Sequence, residues 1–170
     1  NIATSLNNYG YTGDGIKVAV VDTGIDSTHS EFSGRTITGT DFGGSSAGYG
    51  VDSGVVGHGT HVASIIGANR DGVGMRGVAY DATLYDYKVA DDSGSLAGLA
   101  TDSSTASVFN QMVTDGIQVA NNSWGVSSSI TNFTEASLRS SAPLTIAAMK
   151  AAIDNGTIIV FAAGNSYDYE

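Results

Sequence analysis

Short, nearly continuous apolar runs mark this chain, separated by stretches in which apolar residues recur at helical spacing. Residues 16–21 are β-branched and apolar at almost every position, which predicts a buried, parallel-type strand ending at Asp22. Residues 158–163 predict a second buried strand of the same kind. Residues 83–89 and 117–120 predict two further strands between them.

Three stretches between these runs carry apolar residues at i, i+3 and i+4 and therefore predict helices. They cover residues 58–68, 106–114 and 144–154. Gly116 follows the second stretch and Asn155-Gly156 the third, and such residues commonly end a helix. The side chains predicted to face inward are Val62, Ile65 and Ile66, then Val108, Met112 and Val113, and finally Ile146, Met149, Ala152 and Ile153.

Segments rich in Gly and polar residues predict the connections. Residues 42–57 and 125–143 predict long loops, residues 91–95 a polar turn, and residues 35–41 a short strand of alternating Thr and Ile. Strands and helices thus alternate about four times. The predicted fold class is α/β, a parallel sheet with helices on its faces.

Composition removes several classes of function. The chain has 170 residues, 7 Lys plus Arg, 17 Asp plus Glu and a formal charge of −10, which argues against binding nucleic acid or anionic membranes. No Cys is present, which excludes disulfides, thiolate-zinc sites and a cysteine nucleophile. No apolar run is long enough to span a bilayer, and residues 1–4 lack the features of a signal peptide.

Three polar residues stand where chemistry is expected in a parallel α/β fold. Asp22 ends a predicted strand, His58 opens a predicted helix and Asn165 follows the last predicted strand. A carboxylate beside an imidazole fixes its tautomer and stabilises the imidazolium, and a rigidly held amide can stabilise an oxyanion. These residue types suit acyl transfer, provided that the fold brings them together.

Two other interpretations are weaker. His58 and His61 with Asp22 could suggest zinc, but the His-x-x-His spacing differs from the His-Glu-x-x-His pattern of zinc proteases. Residues 72–77 satisfy Gly-x-Gly-x-x-Gly, yet they follow a predicted helix and lead into a strand, the reverse of a dinucleotide site. We therefore expect no organic cofactor.

Three blocks carry a family resemblance. Residues 18–26, 57–63 and 162–165 look like the N-terminal signature blocks of the subtilisin-like serine proteases (subtilases, peptidase S8), in the family's order. The resemblance runs from about Gly10 to Asn165. It implies a subtilisin-like fold and a secreted or cell-surface bacterial endopeptidase acting on peptides or proteins.

The resemblance also implies roles for individual residues. Asp22 would orient the imidazole, His58 would be the general base and then the general acid, and Asn165 would donate to the oxyanion. An extended peptide would be held as an added strand between two segments of the cleft. The substrate-binding residues implied are Ser93, Gly94, Ser95, Ser123, Trp124, Gly125, Ala163 and Gly164.

Residues 69–75 resemble the family's calcium loop. Carboxylate and carbonyl oxygens suit this hard cation. Glu31 is longer than the Asp usual at its position, and the family's ligand near the N-terminus lies before Asn1. A turn with a solvated Asp71 is the alternative. The ligands implied are the side chains of Glu31 and Asp71 and the carbonyls of Asn69, Val73 and Met75.

One family element is missing from these 170 residues. The nucleophilic serine follows the oxyanion asparagine in a Gly-Thr-Ser block, which is not present before Glu170. We therefore expect residues 1–170 to be the N-terminal part of one catalytic domain, incomplete at the C-terminus, inactive alone and partnered by its C-terminal remainder. The alternatives are a degenerate or truncated non-catalytic fragment that binds peptide or assembles, and an unrelated α/β binding domain.

Overall fold

The predicted parallel sheet is confirmed by the computed structural model, which describes residues 8–54, 57–125 and 134–165. Five strands pair in the order β2-β3-β1-β4-β5, and every neighbouring pair is parallel. Such pairing brings the carboxyl ends of all strands to one edge of the sheet. The strands are β1 (Lys17–Asp22), β2 (Thr38–Asp41), β3 (Thr83–Lys88), β4 (Val119–Asn122) and β5 (Ile158–Phe161).

Helices cover both faces of the sheet, as the α/β pattern predicts. One core contains Val18 and Val20 of β1 together with Ala63 of the first helix. The other contains Ala19 of β1 and residues of the second and fourth helices. Alternate β1 side chains thus face opposite cores. The helices are α1 (His58–Gly67), α2 (Asp102–Asp115), α3 (Glu135–Ser141) and α4 (Pro143–Asp154), with 3₁₀ turns at Ser30–Phe32 and Ala97–Leu99.

Two strands begin at least two residues later than predicted. β2 begins at Thr38 rather than at Arg35, whose guanidinium instead donates to backbone carbonyls including that of Tyr80, at 2.8 Å. β4 begins at Val119 rather than at Ile117, because the Ile117 amide donates to Met112 O at 2.9 Å and completes the end of α2.

The predicted loop over residues 125–143 contains a helix, α3. Thr134 and Ser137 form a capping box at its start, and Glu135 pairs with Arg139 at 2.8 Å one turn later. Helix α3 buries none of its residues. Its sequence therefore lacks the recurring apolar positions from which the other helices were predicted. Residues 126–133 of this segment lie outside the described residues.

The inward faces of α1 and α4 bury mostly small side chains, whereas α2 buries Val108 and Met112 as predicted. Ile65, Val113 and Ile153 are exposed, although their spacing predicted burial. In α1 the buried side is formed instead by Gly59, Thr60, Ala63, Ser64 and Gly67. A Cβ on Gly67 would lie 3.2 Å from Leu84 Cδ2, so small residues let α1 approach the sheet closely.

Strand β5 was predicted to be buried, and within the described residues it is an exposed edge strand. It pairs with β4, and Ile158, Val160 and Phe161 all remain accessible. The apolar side chains of β5 therefore form a surface that the described residues do not cover. In the described ranges, no helix combines the length and apolar character needed to cross a bilayer.

Candidate active site

The last residue of β1 and the first residue of α1 meet at the carboxyl edge of the sheet. Asp22 Oδ1 lies 2.7 Å from His58 Nδ1, within hydrogen-bond distance. The Asp22 side chain is 4% exposed and the His58 side chain 48%. The imidazole therefore covers the carboxylate on one side and faces solvent on the other.

Hydrogen bonding around Asp22 sets the arrangement of this pair. Its Oδ1 also accepts from the Thr23 amide at 2.8 Å, whereas the buried Oδ2 has no partner within the described residues. An ionised carboxylate can only accept a hydrogen bond, so this contact places a proton on Nδ1 of His58. Nε2 is then left as the proton acceptor on the solvent side.

Close backbone packing permits the contact between Asp22 and His58. A Cβ on Gly59 would collide with Gly24 O and would lie 3.1 Å from Asp22 Cβ. Any larger residue at position 59 would push the first turn of α1 away from β1. Glycine next to His58 is thus a steric requirement of the site.

Residues following β4 and β5 reach the same edge. Trp124 Nε1 donates to Val21 O at 3.1 Å, and its ring meets Phe161 edge-on at 5.3 Å. The Ala162 amide continues the pairing by donating to Asn122 O at 3.0 Å. Trp124 is thereby fixed beside the end of β1. Ala163, Gly164 and Asn165, which follow β5, are exposed.

Ser93, Gly94 and Ser95 form a turn rather than an extended segment. Asp91 Oδ1 accepts from the amides of Ser93 and Ser95 at 2.8 and 3.1 Å, which curls the chain around the carboxylate. A Cβ on Gly94 would lie 3.1 Å from Ser53 O. The turn is therefore packed against the loop that precedes His58.

Three polar residues near the site were missed in the sequence. Asp52 and Thr23 bind the first turn of α1. Asp86 is fully buried in β3, where Oδ2 accepts from the amides of Ile25 and Gly50 at 3.1 and 2.8 Å. Burial raises the pKa of Asp86 to about 6, and the two amides and Lys88 oppose the shift. The sequence signal that could have identified Asp86 is a carboxylate within a strand that is otherwise predicted to be buried.

The residues implied for calcium lie around one loop. Glu31 Oε1 accepts from the Met75 amide at 3.1 Å, and Asp71 Oδ1 accepts from the Val73 amide at 3.0 Å. The Glu31 carboxylate fills the space that a Cβ on Gly74 would need. These oxygen donors fit a hard cation chemically. Among the described residues, no group of three or more His, Asp or Glu is arranged to hold a metal.

An all-parallel sheet with an Asp–His pair at its carboxyl edge is the framework of an α/β serine hydrolase. Residues 13–169 match the Subtilase family of peptidases (peptidase S8), and the chain belongs to that family. The resemblance inferred from the signature blocks is confirmed, and the unrelated binding domain is excluded.

Individual relatives agree with this assignment. The chain is 37% identical over 166 residues to Subtilisin Savinase of Lederbergia lenta, an alignment covering 96% of this chain and 53% of the relative. It is 40% identical over 123 residues to an extracellular serine protease of Serratia marcescens, covering 71% of this chain and 10% of that protein. Subtilisin-like serine proteases are thus its relatives in sequence.

Solved structures share the fold. MycP1 with its N-terminal propeptide removed superposes with a TM-score of 0.73 at 27% identity, covering 98% of this chain and 47% of MycP1. Sphericase superposes with a TM-score of 0.67 at 31% identity, covering 93% of this chain and 48% of Sphericase. The chain therefore spans about half the length, or less, of these proteins.

Proposed function

We propose that this chain provides the acid–base pair of a secreted bacterial serine endopeptidase whose nucleophilic serine lies outside these 170 residues. The 2.7 Å contact between Asp22 and His58 is the observation that carries the proposal. Membership of the subtilase family supports serine as the nucleophile.

In the proposed mechanism, His58 Nε2 takes the proton of the serine hydroxyl as its oxygen attacks the peptide carbonyl carbon. Asp22 accepts from Nδ1–H throughout and stabilises the imidazolium. The C–N bond breaks as Nε2 returns the proton to the leaving amine. Water, activated by the same imidazole, then hydrolyses the acyl-enzyme.

Substrate binding and oxyanion stabilisation belong to the segments beyond the strands. We propose that Asn165 donates to the oxyanion and that the peptide pairs as an added strand. The exposure of residues 163–165 and the packing of Trp124 beside β1 support this assignment. The residues that would contact peptide are Ser93, Gly94, Ser95, Ser123, Trp124, Gly125, Ala163 and Gly164.

We further propose that residues 1–170 form the N-terminal part of one peptidase domain and that its C-terminal remainder is their partner. An apolar groove next to exposed β5 supports this. Its lining includes Ile65 and Ile66 of α1, Val119 of β4 and Val160 of β5. A covering segment would remove this apolar surface from water.

Peptide hydrolysis by two purified proteins tests the proposed function. The intact translated product should hydrolyse a peptide substrate, and the 170-residue chain should not, because it lacks the nucleophile. Hydrolysis by the short chain would overturn its assignment as an incomplete centre. An inactive intact product that still binds peptide would favour a degenerate, non-catalytic protease.

A calcium-stabilised loop is a second proposal, separate from catalysis. The side chains of Glu31 and Asp71 would hold the ion together with the carbonyls of Asn69, Val73 and Met75. Saturation at about 100 times the Kd would add about 2.7 kcal/mol of stability. We expect calcium to raise the melting temperature, and Asp71→Ala to abolish the increase. A melting temperature that calcium and chelator leave unchanged would eliminate the site.

A further inference from the structure

The first turn of α1 depends on side chains outside the helix for its capping. Its N-cap is Gly57, at φ 65°, and glycine has no side chain that could accept from the first amides. The Gly59 amide donates to Thr23 Oγ1 at 3.0 Å, and the Thr60 amide donates to Asp52 Oδ2 at 2.9 Å. The helix that begins with His58 is therefore capped from two separate loops.

Asp52 is the centre of this arrangement. Its Oδ1 accepts from Thr23 Oγ1 at 2.7 Å and from the Gly54 amide at 2.9 Å. Its Oδ2 accepts from both the hydroxyl and the amide of Thr60, at 2.6 and 2.9 Å. One carboxylate thus connects the residue after Asp22 to the residue two positions after His58.

Two buried side chains of β3 fix the position of Asp52 by binding the backbone of the residues that precede it. Asp86 Oδ2 accepts from the Gly50 amide at 2.8 Å. Lys88 Nζ donates to Val51 O at 2.8 Å, and the Lys88 side chain is fully buried. The two residues that precede Asp52 are therefore anchored to the central sheet.

We propose that Asp52 is a positioning residue that caps α1 through Thr23 and Thr60 and so holds His58 Nδ1 against Asp22 Oδ1. The inference rests on the proposed function in treating His58 as the base. Charge-assisted hydrogen bonds to an ionised carboxylate are stronger than neutral ones, and a negative charge is favourable at a helix N-terminus. Without Asp52, the Thr60 amide loses its acceptor and the Thr23 hydroxyl that caps Gly59 loses the carboxylate that holds it, so the imidazole loses its fixed position relative to Asp22.

Nuclear magnetic resonance of the full chain tests this directly. Long-range ¹H–¹⁵N correlations, recorded above the titration range of the imidazole, report which ring nitrogen of His58 carries the proton. In the unsubstituted chain we expect the proton on Nδ1, the atom that faces Asp22. Asp52→Ala should convert this single tautomer into the mixture of an imidazole without a fixed partner.

Asp41→Ala is the matched control. Asp41, the last residue of β2, is also a partly buried carboxylate that binds several amides, those of Gly43, Gly44 and Ser45, but none of these belongs to α1. The His58 tautomer should stay unchanged in this variant. Retention of the Nδ1 tautomer in Asp52→Ala would overturn the proposal and leave the Asp22–His58 pair intact. A proton absent from Nδ1 in the unsubstituted chain would contradict the pair, and with it the proposed function.

A second pair of variants decides the question if Asp52→Ala does not fold. Thr23→Val removes the hydroxyl that connects Gly59 to Asp52 while keeping the shape of the side chain, and Thr23→Ser retains the hydroxyl. Thr23→Val should therefore give a mixture of His58 tautomers, whereas Thr23→Ser should keep the proton on Nδ1. Equal tautomer populations in the two variants would overturn the role of the Asp52 cap.

Discussion

The carboxylate of Asp22 occupies the point where β1 leaves the sheet but is still covered by α1. A buried carboxylate loses hydration and must be compensated by donors. His58 and the Thr23 amide provide these donors at one oxygen. A positive charge appearing on the imidazole during proton transfer would complete that compensation, which suits Asp22 to the proposed role.

Asp86 makes stability depend on pH. Its pKa is raised by burial to about 6, above the ordinary value of 3.8, so the folded chain binds this proton more tightly than the unfolded chain. The associated stability is fully present below the unfolded pKa and is lost as pH rises through 6. Asp86→Asn removes the titration. Between about pH 4 and about pH 8, we expect the unfolding free energy of the unsubstituted chain to fall by about 2 kcal/mol more than that of Asp86→Asn.

Urea unfolding at the two pH values measures this effect. Asp14→Asn is the control, because Asp14 is exposed and should leave the pH dependence unchanged. If Asp86→Asn shows the same pH dependence as the unsubstituted chain, then Asp86 is ionised throughout the range and its burial is already compensated.

The central pair could be predicted from the sequence, but its supports could not. Asp22 and His58 stand in short blocks that are informative jointly, because several of them occur in one family's order on compatible elements. Asp52 lies in a loop rich in Gly and Ser without periodicity, and its partners Thr23 and Thr60 are close only after folding. A helix cap provided by a distant loop produces no characteristic spacing of residues in the sequence, so it could not be predicted.

At the scale of elements, α2 and α3 begin with the same capping box but differ in packing. Thr101 and Ser104 cap α2, which buries Ala106, Val108, Phe109 and Met112, whereas Thr134 and Ser137 cap α3, which buries none of its residues. Loss of an N-cap costs about 1 kcal/mol when the helix contributes to the folded core. The cost to the whole chain should therefore depend on which helix is affected.

Thr101→Ala and Thr134→Ala form a matched comparison. We expect Thr101→Ala to lower the free energy of unfolding by about 1 kcal/mol, measured by urea denaturation with circular dichroism. Thr134→Ala should lower it by less than half as much, because α3 can fray without exposing buried residues. Equal losses would show that α3 is coupled to the core as strongly as α2.

The strands were predicted better than the helix faces, for a physical reason. A buried parallel strand is commonly apolar on both sides, and β1 carries that signal in sequence. The buried residues of α1 are Gly, Ala, Ser and Thr, which allow close approach. Of the residues predicted from hydrophobic spacing, Val62 and Ile66 are partly buried against the core. Apolar residues such as Ile65 and Ile153 are exposed among the described residues.

For the molecule as a whole, exposed apolar residues on α1 and β5 predict a covering partner. The 170-residue chain should bind a hydrophobic dye strongly, and the intact translated product should bind much less. The measurement is dye fluorescence at equal molar concentration, with both proteins shown to be folded by circular dichroism. Equal fluorescence would contradict the proposal that C-terminal sequence covers this surface.

The central claim is that His58, oriented by Asp22, activates a serine in the intact product. The most direct measurement is the rate of covalent labelling of that product by a fluorophosphonate, compared between His58→Ala and His61→Ala. The two histidines lie three positions apart on α1, so both variants remove an imidazole from the same helix. We predict that labelling is lost in His58→Ala and retained in His61→Ala. Undiminished labelling of His58→Ala would contradict the account.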